Sequence, residues 1–542
     1  MRPRTGIALF VSVAGTAGVL AVSAVGSGAQ ASTADAHPAA PVRLVPGDLL
    51  VSTSSYADDP GIVAGSTVLP PGSGTAGAVA IAGGNYPAVF NNDTVDSSFG
   101  VTSPLYLKEI TPQGRPQGII SVPASDLVTS FSSKSEGALN LSPDGRDLTF
   151  MGYAAAPDSI DVSNSNTPGV IDSTNPVSSS SYRAVASLSA DGRWTFTETN
   201  AYSGNNGRAA VEATVGGQSY IYTAGNAGNG SNPQPTGVVL GAGTQIISPS
   251  SLPESLQSPG APTPVGSFSV AELGDSADKI GKDDNFRGLT LYNNVLYYTK
   301  GSGSNGVDTV YFLDTTGKAC PGGTGLPVPG APLPTSDIAS TLTSAGLASN
   351  MCILKGFPTS LAKAATDASG YPFGIWFASP TTLYVADEGA GDNAYAGGSY
   401  TAAAASATAG LQKWVYSKAA GQWQLAYTLQ HGLSLGTPYT VRGYPTGTNS
   451  VTNLPWAPAT DGLRNITGRV NRDGTVTVWA VTSTVSGSGD QGADPNSLVA
   501  VTDQLAATSL PAFEEFRTVV PASYNQVVRG VSFTPGTGTD RR

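Results

Sequence analysis

The sequence feature that most constrains the fold is a short two-strand unit that recurs at a spacing of roughly 65 to 90 residues. In most copies a small residue or an arginine leads the first strand, a turn follows, and a second strand returns. Most of the turns carry Asp-Gly, Gly-Gly or Asn-Asn, which suit tight hairpins with positive φ. Five complete copies lie at residues 137–152, 208–225, 287–301, 373–387 and 464–482.

A sixth copy is divided between the two ends of the chain. Residues 529–535 supply its first strand and residues 47–54 supply its second. Pairing of the last strand with the first would close the repeats into a ring and remove the exposed sheet edges that an open array leaves. This division favours a β-propeller over a parallel β-helix or a pair of β-sandwiches.

Less regular strand pairs lie between the repeats, and two hairpins make one four-stranded blade. We expect them at residues 105–110 with 119–122, 184–188 with 194–198, 238–240 with 245–247, 411–416 with 423–429, and 498–502 with 516–520. Residues 309–314 form a further strand without an evident partner. The sequence therefore predicts an all-β, six-bladed β-propeller, or seven blades if a long insertion hides another.

The N-terminal segment has the pattern of a secretory signal peptide. Arg2 and Arg4 precede an almost uncharged run that ends in Ala29-Gln30-Ala31, a small-residue cleavage site. We expect a signal peptide at 1–31, a linker at 32–46, the propeller at 47–535 and a tail at 536–542. The predicted product is extracellular and has no membrane anchor.

Charge and cysteine content fit that compartment. Loss of the signal peptide removes two arginines and no acid, so the formal charge moves from −11 to −13. The chain has no cluster of lysines and arginines of the kind that nucleic acid requires, and we expect no nucleic-acid partner. Cys320 and Cys352 are the two cysteines, and an oxidising compartment would let them form a disulfide rather than stay free or bind a metal.

Arginines recur where the chain enters the innermost strand of a blade. Strand order would place these positions, and the loops that follow the second strands, on one face around the channel mouth. Guanidinium groups there can grip a carboxylate or phosphate, or they can tie each blade to its neighbour, which we favour because repeats copy packing devices. The candidate ligand-binding residues are Arg208, Arg287, Arg464, Arg529, Asp283 and Asp284.

Acidic residues accumulate on the same predicted face. Asp387, Glu388 and Asp392 form the densest run, and carboxylates in loops are ligands that calcium takes. The run does not match the spacing of an EF-hand loop. Calcium is therefore a possible cofactor, and the alternative is that these residues make turns and keep the surface soluble.

Several runs resemble secreted bacterial propellers of the NHL, lactonase and phytase-like type. They are TLYVADEG at 382–389, RGLTLYNNVLYYT at 287–299 and RGVSFTP at 529–535. The resemblance implies a propeller fold and a group that includes calcium-dependent lactonases and phosphatases as well as binding proteins without catalysis. No catalytic motif of that group transfers to this chain.

Two functions follow as expectations. The first is an extracellular scaffold or binding propeller whose partner is a small molecule, a glycan or a protein. The second is a calcium-dependent hydrolase of a phosphate ester, lactone or glycan at the channel mouth. A Gly-x-Ser-x-Gly run at 432–436 lacks the strand, turn and helix of a nucleophile elbow, so it does not favour catalysis.

Overall fold

The structure of the protein is a computed structural model. It describes residues 42–55, 63, 66–68, 101–130, 136–160, 162–171, 179–226, 242–252, 261–270, 284–301, 306–320, 322–336, 348–362, 370–449, 452–487, 492 and 494–538. The predicted signal peptide, most of the predicted linker, and Asp283 lie outside these residues. Among the described residues, no helix combines the length and apolar character needed to cross a membrane.

Six blades, each with four antiparallel strands, confirm the predicted six-bladed β-propeller. The outermost strands of the third and fourth blades, Pro264–Val270 and Ala348–Leu354, also pair with each other in parallel, so these two blades form one continuous sheet. Strands are lettered A to D from the innermost to the outermost. Blade 1 contains Gln526–Phe533, Leu49–Ser55, Leu105–Ile110 and Pro116–Ser121, and blade 2 contains Asn140–Leu141, Asp147–Ala154, Tyr182–Ser189 and Trp194–Thr199. Blade 3 contains Gly207–Val215, Gln218–Gly225, Thr244–Ile247 and Pro264–Val270, and blade 4 contains Phe286–Tyr292, Val295–Lys300, Thr309–Leu313 and Ala348–Leu354. Blade 5 contains Pro372–Ser379, Thr382–Asp387, Gly410–Ser417 and Gln422–Leu429, and blade 6 contains Ala459–Val470, Thr475–Val485, Leu498–Gln504 and Arg517–Val520.

Short elements decorate the loops between these strands. They are the 3-10 turn Val162–Asn164, the α-helix Thr401–Ala405, and the two-residue strands Thr102–Ser103, Thr129–Ser130, Thr324–Gly325, Tyr395–Ala396 and Ser399–Tyr400.

Blade 1 closes the ring, as the divided repeat predicts. Leu49–Ser55 pairs with Gln526–Phe533 on one side and with Leu105–Ile110 on the other. In the predicted tail, Thr537 accepts a hydrogen bond from the Gly47 N–H at 2.9 Å. The first and last strands of the propeller are therefore neighbours in one sheet.

Two strand partners differ from the expectation. Thr244–Ile247 pairs with Gln218–Gly225 on its inner side and with Pro264–Val270 on its outer side. The predicted pairing of 245–247 with 238–240 is therefore wrong, and 238–240 lie outside the described residues. Thr309–Leu313 pairs with Ala348–Leu354, a partner that a long insertion separates from it in sequence.

The predicted disulfide is confirmed within that insertion. Cys320 follows strand C of blade 4, Cys352 lies in strand D, and their Cα atoms are 5.8 Å apart. The carboxylate of Asp314 accepts the N–H groups of Thr316 and Ala319, each at 2.8 Å, and so holds the turn that precedes Cys320. The bridge fastens the start of the insertion to the outer strand.

Hydrophobic clusters lie between neighbouring blades. Trp479 of blade 6 packs edge-on against Phe533 of blade 1, with the ring centroids 5.5 Å apart. Phe377 of blade 5 is likewise close to Tyr297 of blade 4, at 4.6 Å between centroids. Aromatic side chains of neighbouring blades therefore pack against each other in the space between the sheets.

A buried ionisable network joins blades 5 and 6. The Lys413 Nζ lies 3.0 Å from an Asp503 carboxylate oxygen, and both side chains are fully buried. The hydroxyl of Tyr427 donates to Asp503 at 2.7 Å, and that of Tyr384 bonds the other carboxylate oxygen. Burial of a charged pair is tolerated here because each charge has several hydrogen-bonding partners.

Glu514 lies at the edge of this network, where Gln504 donates its N–H to it at 2.8 Å. Burial and the adjacent carboxylate of Asp503 raise the pKa of Glu514 from 4.5 to about 8. A carboxyl whose pKa is raised on folding stays protonated in the native state while the unfolded chain has already ionised. Stability is therefore lost as the pH rises from about 4.5 to about 8.

We predict that Glu514→Gln reduces the loss of stability between about pH 4.5 and pH 8. Glutamine cannot ionise, so the variant should have a higher thermal midpoint than the parent above pH 8 and little difference near pH 4.5. Thermal unfolding across that range measures the effect. Glu515→Gln is the matched control, and equal slopes for the parent and both variants would contradict the prediction.

Candidate functional site

The starts of the A strands and the ends of the B strands lie at one end of the central channel, because A and B are antiparallel neighbours. We call this end the upper face and the end with the A to B turns the lower face. The channel mouth is defined here as Arg208, Arg287, Glu388, Arg464 and Arg529. All five side chains are buried.

A β-bulge places each arginine. The pairing of strands A and B skips Arg208 in blade 3, Arg287 in blade 4 and Arg529 in blade 1. In blade 6 the skipped residues include Arg464. A bulge adds one unpaired residue to a strand and changes the direction of its side chain. In a regular ladder the arginine side chain would point between the blades, whereas here the bulge places it at the channel.

Small residues let the innermost strands approach closely beside these bulges. A Cβ on Gly288 would come within 1.9 Å of the Phe373 carbonyl oxygen of the next blade. In blade 2, Gly137 has a φ of +73° and a Cβ there would lie 3.0 Å from the Arg529 Cβ. Glycine at this position therefore makes room for the arginine of blade 1.

Glu388 joins two of the arginines. It directly follows strand B of blade 5, and its N–H donates to the Tyr371 carbonyl at 2.9 Å. Its carboxylate lies 3.2 Å from the Arg464 Nε of blade 6 and 3.8 Å from the Arg287 Nε of blade 4. One buried carboxylate thus connects three consecutive blades.

The other two arginines contact neutral acceptors. Arg529 donates from Nε to the Ser54 hydroxyl at 3.0 Å and from Nη2 to the Ser130 carbonyl at 3.2 Å. Arg208 donates from Nη1 to the Phe286 carbonyl at 2.9 Å and also to the Asn285 side chain, both next to blade 4.

Arg208 keeps an unused hydrogen-bond donor within the described part of the chain. Its Nε has no hydrogen-bond partner there, although the side chain is only 5% exposed. Burial lowers the pKa of Arg208, and the positive charge of Arg287 lowers it further. A buried guanidinium with an unused N–H donor, close to a second positive charge, favours the binding of an anion.

Arg183 is a buried cation that the repeat pattern did not identify. It lies on strand C of blade 2 and donates to the carbonyls of Asn205 at 2.9 Å and Ser165 at 2.8 Å. Its guanidinium lies 5.4 Å from the Tyr153 ring centroid, and burial lowers its pKa to about 10. Arginine occurs on one C strand only, so Arg183 is not part of the repeat that identified the other arginines in the sequence.

The acids predicted as metal ligands have other partners. Asp387 is fully buried and accepts the N–H groups of Gly389 at 3.0 Å and Tyr371 at 2.9 Å. Burial raises its pKa to about 6 despite those hydrogen bonds. Asp392 is exposed and accepts the Ala394 N–H at 2.8 Å within its own turn.

Asp284 is fully buried as well, and its Oδ1 accepts the Val270 N–H at 3.1 Å. The only group of three potential metal ligands among the described residues is Asp314 with Cys320 and Cys352, whose sulfur atoms form the disulfide. The structure therefore brings the arginines and Glu388 together at the channel mouth, whereas Asp284, Asp387 and Asp392 each bind nearby backbone.

The negative charges of four aspartates act on one phenol at this face. Tyr371 is half-buried, and burial raises its pKa. The negative charges of Asp308, Asp387, Asp461 and Asp392 raise it further. Asp308 forms an ion pair with Lys300 at 2.6 Å, so part of this charge is neutralised.

We predict that Glu388→Gln is strongly destabilising. The change removes the carboxylate that faces both Arg287 and Arg464, and breaking a buried charge pair costs about 3–5 kcal/mol. Denaturant unfolding measures the free energy difference. Asp144→Asn removes an exposed partner of Arg146 and should cost less than about 1 kcal/mol; similar losses in both variants would contradict the role given to Glu388.

Comparisons with known proteins give no family for the chain. No family model matches it, and no curated protein matches it. A solved structure of a polysaccharide lyase, an ulvan lyase bound to a saccharide of glucuronic acid and 3-sulfated rhamnose, is 11% identical and aligns over 85% of this chain and 96% of its own. The TM-score is 0.29, and at that value the similarity carries no argument about function.

Proposed function

We propose that this propeller is an extracellular binding protein that holds an anionic group of its ligand at the channel mouth. The group is a carboxylate or a phosphate, carried by a small molecule, a glycan or a protein. The observation that carries the proposal is the buried Arg208 guanidinium, whose Nε lacks a hydrogen-bond partner among the described residues.

Charge at the channel mouth supports an anion. Glu388 lies between Arg287 and Arg464, whereas the hydrogen-bond acceptors of Arg208 are an amide oxygen and a carbonyl oxygen, which carry no net charge. A buried cation that donates its hydrogen bonds to neutral acceptors is costly, because such acceptors replace only part of its hydration. An incoming anion would supply the missing charge and accept the unused N–H.

Guanidinium chemistry sets the class of anion. Its planar fork of N–H groups matches the two oxygens of a carboxylate or phosphate, and such charge-assisted pairs are about twice as strong as neutral hydrogen bonds. Arg208 and Arg287 belong to adjacent blades, and the charge of Arg287 lowers the pKa of Arg208 because the two cations repel each other. A shared anion between the two would relieve that repulsion.

We predict that inorganic phosphate stabilises the protein through Arg208. At constant ionic strength, low-millimolar phosphate should raise the thermal midpoint of the parent protein, since a ligand that binds only the native state stabilises it by mass action. Arg208→Gln should lose most of that rise. The compared quantity is the shift on adding phosphate, because the substitution also removes the contact with blade 4 and so changes the midpoint without phosphate.

Arg146→Gln is the matched control, because Arg146 is an exposed arginine whose ion-pair partner, Asp144, lies in its own turn. It should keep the full phosphate-dependent shift. The proposal is wrong if phosphate has no effect on the parent, or if the shift is the same in the parent and in Arg208→Gln.

A calcium-dependent hydrolase is the second candidate. The observation in its favour is that the negative charges of Asp308, Asp387, Asp461 and Asp392 all act on the half-buried Tyr371, and a divalent cation bound by one or more of them would offset that charge. Asp392 is the exposed member of that group and the first carboxylate that an entering ion would meet.

We predict for this second candidate that calcium raises the thermal midpoint of protein treated with a chelator, and that Asp392→Asn reduces the rise. Asp126→Asn changes an exposed aspartate in the loop after blade 1; it is the control and should leave the rise unchanged. An identical thermal midpoint with and without calcium would contradict a calcium site and therefore this candidate function.

A further inference from the structure

We propose that the lower end of the channel is a second, independent site that binds a flat, uncharged small molecule. A cavity of about 500 Å³ opens there, and we call it the lower cavity. The innermost strand of every blade contributes to its wall, represented by Phe533, Leu141, Val211, Thr290, Trp376 and Ile466 in blade order.

The volume suits a small ligand. Small-molecule sites in proteins are concave, mostly apolar and about 300–1,000 Å³ in volume. The lower cavity falls within that range, and a ring of six strands surrounds it. A small molecule can enter such a ring, whereas a folded partner could contact only its rim.

The described residues that line the lower cavity include no charged side chain. This contrasts with the channel mouth, where four arginines and a glutamate meet. A charged ligand would lose its hydration in the lower cavity without gaining an ion pair, so an uncharged ligand is favoured. The same channel therefore offers two chemically different ends.

Trp376 supplies the flat apolar surface. Its indole lies against Gly468 of blade 6, where a Cβ would come within 2.6 Å of the Trp376 Cε3. The Tyr384 ring is 6.0 Å away between centroids, so the indole is held between blades 5 and 6. Trp376 is half-buried and lines the cavity, and an indole face is a good stacking surface for a planar ligand.

Two hydroxyls supply the polar contacts that would orient such a ligand. Thr290 and Thr467 line the cavity and are half-buried. Neither hydroxyl has a side-chain hydrogen bond within the described part of the protein, whereas the amide of Asn140 already donates to the Ala210 carbonyl at 3.0 Å. Ser532, Asn293 and Asn294 add further polar groups to the wall, and uncharged polar groups of this kind can fix the orientation of a neutral ligand.

The test uses N-phenyl-1-naphthylamine, an uncharged planar dye whose fluorescence rises in apolar surroundings. The parent protein should bind one dye per chain in a saturable manner. Ala378→Phe places a ring in the lower cavity and should weaken binding at least about tenfold, because the same volume cannot be filled twice. Ala426→Phe, on the outer strand of the same blade, is the matched control and should bind like the parent.

A second variant keeps the test decisive if the added ring disturbs the fold. Thr290→Asp introduces a charge at a half-buried position of the wall and should weaken binding of the neutral dye. Its circular dichroism spectrum should match that of the parent, which shows that the fold is retained. Absence of saturable binding to the parent, or equal affinity in the parent, Ala378→Phe and Thr290→Asp, would overturn the proposal. The dye affinity of Arg208→Gln should equal that of the parent, which separates this site from the anion site.

Discussion

The pairing of the first strand of the propeller with the last is the interaction on which the rest of the structure depends. Leu49–Ser55 fills the position between Gln526–Phe533 and Leu105–Ile110, so blade 1 is complete only when both ends of the chain are in place. Asn465 of blade 6 adds to this closure, because its side-chain oxygen accepts the Val531 N–H of blade 1 at 2.7 Å. Closure removes two open sheet edges and surrounds the channel with six A strands.

A repeated irregularity then gives the channel its chemistry. In four blades the register between strands A and B shifts at an arginine, and each bulge presents that side chain at the upper face. Blade 5 departs from the pattern, since Phe373 takes the corresponding place and the Arg464 guanidinium lies 6.0 Å from its ring centroid. The same blade provides Glu388, the carboxylate that two of the arginines share. The negative charge of Glu388 from blade 5 thus offsets part of the positive charge of the arginines from the other blades.

The upper and lower ends of the channel differ because the A strands change character along their length. Near the upper face the bulges interrupt the ladder and bring buried charge together. Towards the lower face the ladder is regular except in blade 5, where the register shifts at Ala378, and residues such as Trp376 and Ile466 give an uncharged wall. Arg208, with its unused donor, and Trp376, with its half-buried indole, are accordingly the residues on which the two proposed sites depend.

The sequence by itself determined the ring, because strand alternation and turn residues are local properties and the divided repeat can be recognised by inspection. It also identified the four arginines, since recurrence at one position of a repeat is visible without coordinates. Tertiary structure alone decided that Glu388 lies between Arg287 and Arg464, that Asp387 accepts the Tyr371 N–H, and that Ala348–Leu354 completes blade 4. These outcomes depend on distances between residues far apart in the chain, and on bulges whose position follows from packing against neighbouring blades rather than from any local signal.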